Sequence, residues 1–409
     1  MTAHPPSTPG ALDEDGLEPR RVLFLIPTLE YGGAERVFAT YVNRARAIAP
    51  SVLLHRGLIA PPHHPSPGIP LSFLLPAEPR SKRDRFWSRW ERFPLLARIR
   101  EAWLIRKAAG RQRCPVVSSF LLKSTRVAVF AKIFFAPRLR VAANVHELMS
   151  QHLRHAHPFP PSRRLHEALA RFALRRADLV IAVAEGVKTD LVERFAVPAE
   201  KIRVVYNPVD VGGVRRSGEE PWGDESYGPP GHRLLVSVGR LVELKGLDYL
   251  VDAVASISPR CPVTLIIVGE GTERPALEER IRTGGLEDRV FLIGARENPW
   301  KYMARADLFI LPSLTEAFPN VIGEAFALGK PVIAADCSPG VREYLRDGAC
   351  GLLVPPANAR ALAEGIELLL EDPALGRRFV ENAGNWLPML EIEGSVRRYE
   401  EALATLWKG

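Results

Sequence analysis

Glu316 and Glu324, separated by seven residues in the stretch PSLTEAFPNVIGEA (Pro312 to Ala325), are side chains whose type and spacing can do chemistry. The stretch follows a short apolar run, Asp307 to Leu311, and leads into a helical pattern stopped by Gly329, Lys330 and Pro331, so it reads as strand, loop and helix. Asn320 is expected as the helix N-cap. The amides of Val321 to Gly323 would then point at whatever fills the crevice, with the helix dipole favouring an anion. A carboxylate is a poor phosphate ligand and a good acceptor for hydroxyls, so two of them around an anion site suit a phosphate flanked by sugars, as in a nucleotide sugar. The alternative keeps Glu324 as a helix-start charge and Glu316 as loop solvation, because strand, loop and helix units are widespread.

Three more sets of residues bear on that chemistry. Arg240 and Lys245 share the loop GRLVELKG after a strand, where a guanidinium and an ammonium can meet a diphosphate; read singly, they are surface charges. Gly32 and Gly33 lie in the turn PTLEYGGAERV, either to let backbone approach a ligand or only to supply positive φ. His146 directly follows a strand in VAANVHE, at the edge where a reacting sugar or phosphate would sit, although a histidine can also merely end a strand there. His166 and His232 have no such placement and read as surface residues.

The elements that must position these residues alternate along the chain. Arg21 to Ile26 reads as a buried strand, followed by an amphipathic helix through Ile48 and then by strands at Val52 to Leu54, Leu71 to Leu75, Val116 to Phe120, Val141 to Val145, Leu179 to Val183 and Ile202 to Tyr206. A second series has strands at Leu234 to Val238, Val263 to Val268, Val290 to Ile293, Leu308 to Leu311, Val332 to Ala335 and Leu352 to Val354. Strands alternating with helices predict parallel sheets with helices on both faces and ligands at the carboxyl ends of the strands. The expected divisions are a disordered tail at 1–20, a first domain at 21–210, a Gly- and Pro-rich linker at 211–231, a second domain at 232–385, and a terminal helix at 386–409 that packs back on the first domain.

At 409 residues, with 46% hydrophobic and 25% charged content, the chain has the composition of a soluble globular protein of two domains. No apolar run approaches the roughly 20 residues that span a bilayer. The first twenty residues, rich in proline and acidic groups, lack the pattern of a signal peptide, which implies a cytoplasmic protein. Cys114, Cys261, Cys337 and Cys350 are far apart and read as reduced thiols. Histidines gather at His55, His63 and His64 and again at His146, His152, His155 and His157, but without acidic partners at ligand spacing, so no metal is expected.

Arg80 to Arg113 sets Phe86, Trp87, Trp90, Phe93 and Trp103 among twelve basic and three acidic residues, so this span alone carries more positive charge than the chain's net +8. Such a segment suits an anionic membrane surface or a solvated helix pair; nucleic acid is disfavoured because no nucleic-acid motif accompanies it.

Taken in order, GGAER, VGRLVELKG, IVGEG, the Glu316 and Glu324 pair and ADCSPGVREYLRDGACGLLVPP closely resemble the family 4 retaining glycosyltransferases of the GT-B fold, from about Arg21 to the C-terminus. The resemblance implies two Rossmann-like domains facing across a cleft, the second holding a donor nucleotide sugar and the first an acceptor. By position it assigns Arg240 and Lys245 to the diphosphate, Glu324 to the ribose hydroxyls, Glu316 to the donor sugar, and the backbone of Phe318, Pro319, Asn320 and Val321 to sugar and phosphate. Arg296 would offer backbone to the base, Gly33 would belong to the glycine loop over the diphosphate, and His146 would lie near the donor sugar. It further implies a metal-independent front-face displacement with no cofactor, in which Arg240 and Lys245 stabilise the leaving phosphate and His146 supports the oxocarbenium-like sugar.

Two departures stand out. Ala184 replaces a serine common in the family, and Gly323 replaces a larger apolar residue, which should loosen the helix beside Glu324. DCSPGVRE resembles a subgroup using UDP-linked N-acetylhexosamines or galactose, which favours UDP-GlcNAc or UDP-GalNAc over GDP-mannose. With the basic aromatic span in the acceptor domain, the expected acceptor is a glycan or a lipid-linked sugar at the cytoplasmic membrane face, as in envelope polysaccharide assembly. A soluble small-molecule acceptor and a non-catalytic nucleotide-binding module are the other readings. A dehydrogenase is disfavoured because neither first-strand loop has three glycines.

Overall fold

A computed structural model describes residues 20–29, 32–55, 64–74, 94–222, 227–257 and 261–407. The acidic first nineteen residues, His63, and residues 80–93 of the basic aromatic span lie outside the described residues. The chain forms two compact units: one runs to Tyr206 and takes up the chain again from Ser395, and the other is Asn207–Gly394.

In the first unit the strands are β1 (Arg20–Ile26), β2 (Ile48–Leu54), β3 (Leu71–Phe73), β4 (Val116–Phe120), β5 (Arg140–Val145), β6 (Leu179–Ala182) and β7 (Ile202–Val204), in the order β3-β2-β1-β4-β5-β6-β7. The second has β8 (Arg233–Val238), β9 (Val263–Val268), β10 (Val290–Leu292), β11 (Leu308–Leu311), β12 (Val332–Ala335) and β13 (Leu352–Val354), in the order β10-β9-β8-β11-β12-β13. All the registered pairs are parallel. Strands of parallel sheets are buried on both faces and so read as continuous apolar runs; β9, VTLIIV, is buried at every residue. Strand order reverses beside β1 in one sheet and beside β8 in the other, and the crevice at such a reversal is where open α/β sheets bind ligands.

Two expectations need correction. The first helix covers Gly33–Arg44 and does not reach Ile48, which begins β2 opposite Arg20. The turn between is held from far along the chain: the Glu400 carboxylate accepts the amides of Arg46 and Ala47 at 2.7 and 2.6 Å. The segment 211–231 is not a plain linker either, because Val211–Gly218 is a helix within the second unit. The Asp210 carboxylate caps it by accepting the Gly213 amide at 2.8 Å, and Val211 and Val214 are buried. Its apolar period is one turn long and is broken by two glycines, too little for periodicity to register.

From Ser395 onward the helix Ile392–Ala404 belongs to the first unit. Tyr399 stacks on Tyr41 with ring centroids 3.9 Å apart, and its hydroxyl bonds the Ser118 hydroxyl at 2.6 Å. Asn144 donates to the same Ser118 oxygen at 2.8 Å. Burial pushes the Tyr399 phenol well above its ordinary pKa, so it stays neutral in this network. Among the described residues no helix is long and apolar enough to cross a membrane.

Candidate functional site

The reversal beside β8 brings together the loops that follow β8 and β11, and glycines allow the approach. Gly246 has φ +57, and a Cβ there would lie 2.4 Å from the Pro312 carbonyl oxygen. The Leu314 amide donates to the Leu244 carbonyl at 2.9 Å, which fixes the register of the two loops. From the other side, a Cβ on Gly340 would fall 1.5 Å from the Ala317 carbonyl oxygen, so the helix Pro339–Tyr344 closes on the same loop only because that residue is glycine. The loop after β9 packs as tightly, since a Cβ on Gly269 would lie 1.8 Å from the Gly239 carbonyl oxygen.

On this scaffold the Lys245 ammonium and the Glu316 carboxylate form an ion pair at 2.5 Å, with side chains 22% and 12% exposed. The Ser313 hydroxyl donates to the same Glu316 oxygen at 2.8 Å. Sequence reasoning assigned these two charges to different parts of a ligand; the fold makes them one unit. An ammonium has three donors and Glu316 takes one, leaving two for an anion. Arg240, five residues earlier, is exposed and makes no ion pair among the described residues. Burial and the Glu316 charge push the Cys337 thiol up to about 12, so it stays protonated beside the pair and is no nucleophile.

Glu324, on the helix Asn320–Ala327, is buried, and its carboxylate accepts the Trp300 indole N–H at 2.9 Å. Trp300 begins the short helix Trp300–Met303, where the Asn298 side chain accepts its amide at 3.1 Å and donates to the Ser217 carbonyl at 2.8 Å. Arg296, two residues before Asn298, is exposed. Trp300 escaped sequence reasoning; an indole just after a capping Asn-Pro at a strand end was the available signal.

Asn320 does not cap its helix. Pro319 is the N-cap residue, and Asn320 is the first helical residue, with its side-chain Oδ1 accepting from the Asn207 side-chain amide at 2.8 Å. Asn207 also donates to the Phe318 carbonyl at 3.2 Å, so it pins the turn that carries Phe318, Pro319, Asn320 and Val321. The Ile322 amide, expected to face a ligand, bonds the Pro319 carbonyl at 3.1 Å. Nor does Gly323 loosen this helix. A Cβ there would meet the Tyr344 hydroxyl at 2.2 Å and a Val209 methyl at 2.6 Å, so these side chains fill the space that a larger residue would take. The Tyr344 ring stacks on Phe318 at 4.0 Å, and burial with the neighbouring Glu324 charge raises its phenol pKa well beyond the usual range.

Gly33 and His146 belong to the first unit, after β1 and β5. Gly33 is the exposed first residue of the helix Gly33–Arg44. His146 is half-buried and stacks on Phe120 with ring centroids 5.2 Å apart. Ala184 is the N-cap of the helix Glu185–Phe195 without a side-chain cap, as its lack of a hydroxyl requires. Among the described residues no group of histidine, cysteine, aspartate and glutamate could hold a metal ion.

Two parallel-sheet units, with charged loops at the strand reversal of the second, match the GT-B class of glycosyltransferase folds. Anabaena HepE, solved in complex with UDP, matches with a TM-score of 0.74 and 24% identity over 94% of this chain and 100% of that one. Sucrose-phosphate synthase from Thermosynechococcus elongatus gives 0.73 and 19% over 95% and 99%. The chain belongs to the group 1, family 4 glycosyltransferases: residues 31–212 match the model for Glycosyltransferase Family 4, and residues 224–386 that for Glycosyl transferases group 1. One relative is the Campylobacter jejuni N-acetylgalactosamine-N,N'-diacetylbacillosaminyl-diphospho-undecaprenol 4-alpha-N-acetylgalactosaminyltransferase, 31% identical over 208 residues, 51% of this chain and 55% of that protein. Another is the alpha-D-kanosaminyltransferase of Streptomyces kanamyceticus, 29% identical over 243 residues, 58% and 62% of the two chains. This chain thus spans about half the length of such relatives.

Proposed function

We propose that this protein is a retaining, metal-independent glycosyltransferase that moves a hexose or N-acetylhexosamine from a UDP-linked donor to a glycan or lipid-linked acceptor. The observation that carries this reading is the Lys245 and Glu316 ion pair at the strand reversal, with Arg240 on the same loop. The C1 to phosphate-oxygen bond of the donor breaks, the acceptor oxygen bonds C1 on the same face, and the acceptor proton passes to the leaving phosphate. Arg240 and the two remaining Lys245 donors stabilise the charge that grows on that phosphate. Glu316, held by Ser313 and Lys245, accepts from donor-sugar hydroxyls, and Glu324, oriented by Trp300, accepts from the ribose. Arg296 offers backbone to the base, and Gly33 and His146 of the first unit are assigned to the donor by the family resemblance alone.

The UDP-bound neighbour and the relative named for a diphospho-undecaprenol sugar support the choice of donor base and acceptor. A thermal-shift screen with UDP, GDP and ADP, followed by incubation with UDP-sugars and a membrane extract, tests the reading. UDP should raise the melting point and labelled glycolipid should appear. Loss of both results sinks it, whereas transfer to a soluble sugar alone corrects only the acceptor.

A further inference from the structure

We propose that the exposed face of the helix Pro160–Arg176 docks on the surface of an anionic phospholipid bilayer. Leu165, Leu169 and Phe172 are 58, 44 and 51% exposed, and their spacing of four and three residues places them in one stripe. Arg164, Arg171 and Arg175, all exposed, repeat the same kind of spacing and run along one edge of it. The opposite side of the helix is held down by buried Ala170, Ala173 and Leu174. Phe159, at the N-cap, is 67% exposed. At the other end, Lys132 reaches the Arg176 carbonyl at 3.4 Å from the neighbouring helix Leu121–Phe134, whose last residue, Phe134, is 61% exposed.

Charge decides the occupant. The helix carries five arginines and one carboxylate, Glu167, which lies 3.8 Å from Arg163 on the flank. What covers the stripe must therefore be apolar beneath the leucines and phenylalanines and anionic beside the arginines. A bilayer of anionic lipid offers both in adjacent layers, hydrocarbon a few ångströms below phosphate, along the whole length of a helix lying flat. Nucleic acid offers phosphates without the apolar layer. None of its residues is among those assigned to the donor, and none belongs to the span Arg80 to Arg113.

The test is co-sedimentation of the full chain with vesicles of phosphatidylcholine alone or mixed with phosphatidylglycerol. The protein should bind the phosphatidylglycerol vesicles, and added salt should weaken binding. Leu169→Glu with Phe172→Glu, and separately Arg164→Glu with Arg175→Glu, should each reduce affinity by about tenfold or more while thermal unfolding and UDP binding stay unchanged. Should the first variant fail to fold, the arginine variant carries the test, since it alters only surface charge. Failure of the wild type to bind anionic vesicles overturns the proposal, as does undiminished binding by a folded variant. A solution dimer that Phe172→Glu dissolves, without vesicle binding, gives the face to a second copy of this chain and overturns it too.

Discussion

The two units build nearly the same sheet and use it differently. Among the described residues, the large apolar side chains left exposed include nine in the first unit but only Leu368 and Met389 in the second. In the second unit, glycines at 246, 269 and 340 instead bring backbone against backbone, and the charges of Lys245 and Glu316 are fixed on the resulting loops. One fold thus carries two kinds of surface: charges fixed on strand-end loops in the second unit, and apolar side chains left exposed, mostly on helices, in the first.

The largest effect expected from breaking this division is on the ion pair. Glu316→Ala or Lys245→Ala should cut transfer by about 10²–10³-fold, the scale of losing one transition-state charge contact, with little change in the melting point; steady-state kinetics with a UDP-sugar measures it. Next comes Gly340→Ala, whose new methyl overlaps the Ala317 carbonyl and should cost about 3 kcal/mol or more in urea unfolding. Gly110→Ala sharpens the contrast. In the first-unit helix Pro94–Arg111 nothing lies within 4 Å of the added carbon, so the change should be neutral or stabilise by about 0.5–1 kcal/mol.

Trp300→Phe removes the donor to Glu324 while keeping an aromatic ring. It should weaken donor binding by about 1–3 kcal/mol, read as a raised KM with a smaller fall in kcat. A pH-dependent effect belongs to the first unit, where Glu101 is buried beside His55 and Arg98. Burial alone would raise its carboxyl, but His55, 3.6 Å away, and the charge of Arg98 outweigh burial and hold it at about 2. Because the folded value lies below the ordinary 4.5, its contribution is present above that pH and is lost as pH falls through about 2. Chemical denaturation from pH 5 to pH 2 should show Glu101→Gln losing about 1–2 kcal/mol less than the wild type over that window.

The strands were legible in the sequence because burial on both faces leaves an uninterrupted apolar run, and Val263–Val268 and Leu308–Leu311 begin and end where such runs do. The Glu316 loop and the loop of Arg240 and Lys245 were legible as charges at strand ends. Their pairing was not, since it follows from strand order, which no local pattern records. The end of the first helix was misread because its stop is supplied by Glu400. Asn320 was misread because a proline takes the capping position and Asn207, far back in the chain, claims its side chain.

The helix Ile392–Ala404 has a consequence for synthesis on the ribosome. A polypeptide emerges amino end first, so the sheet that starts at Arg20 is made early, yet Tyr399 and Glu400 reach it only after Asn207–Gly394 has been translated. The portion begun first is therefore finished last, and a nascent chain halted before Ser395 carries a complete second unit alongside an unfinished first.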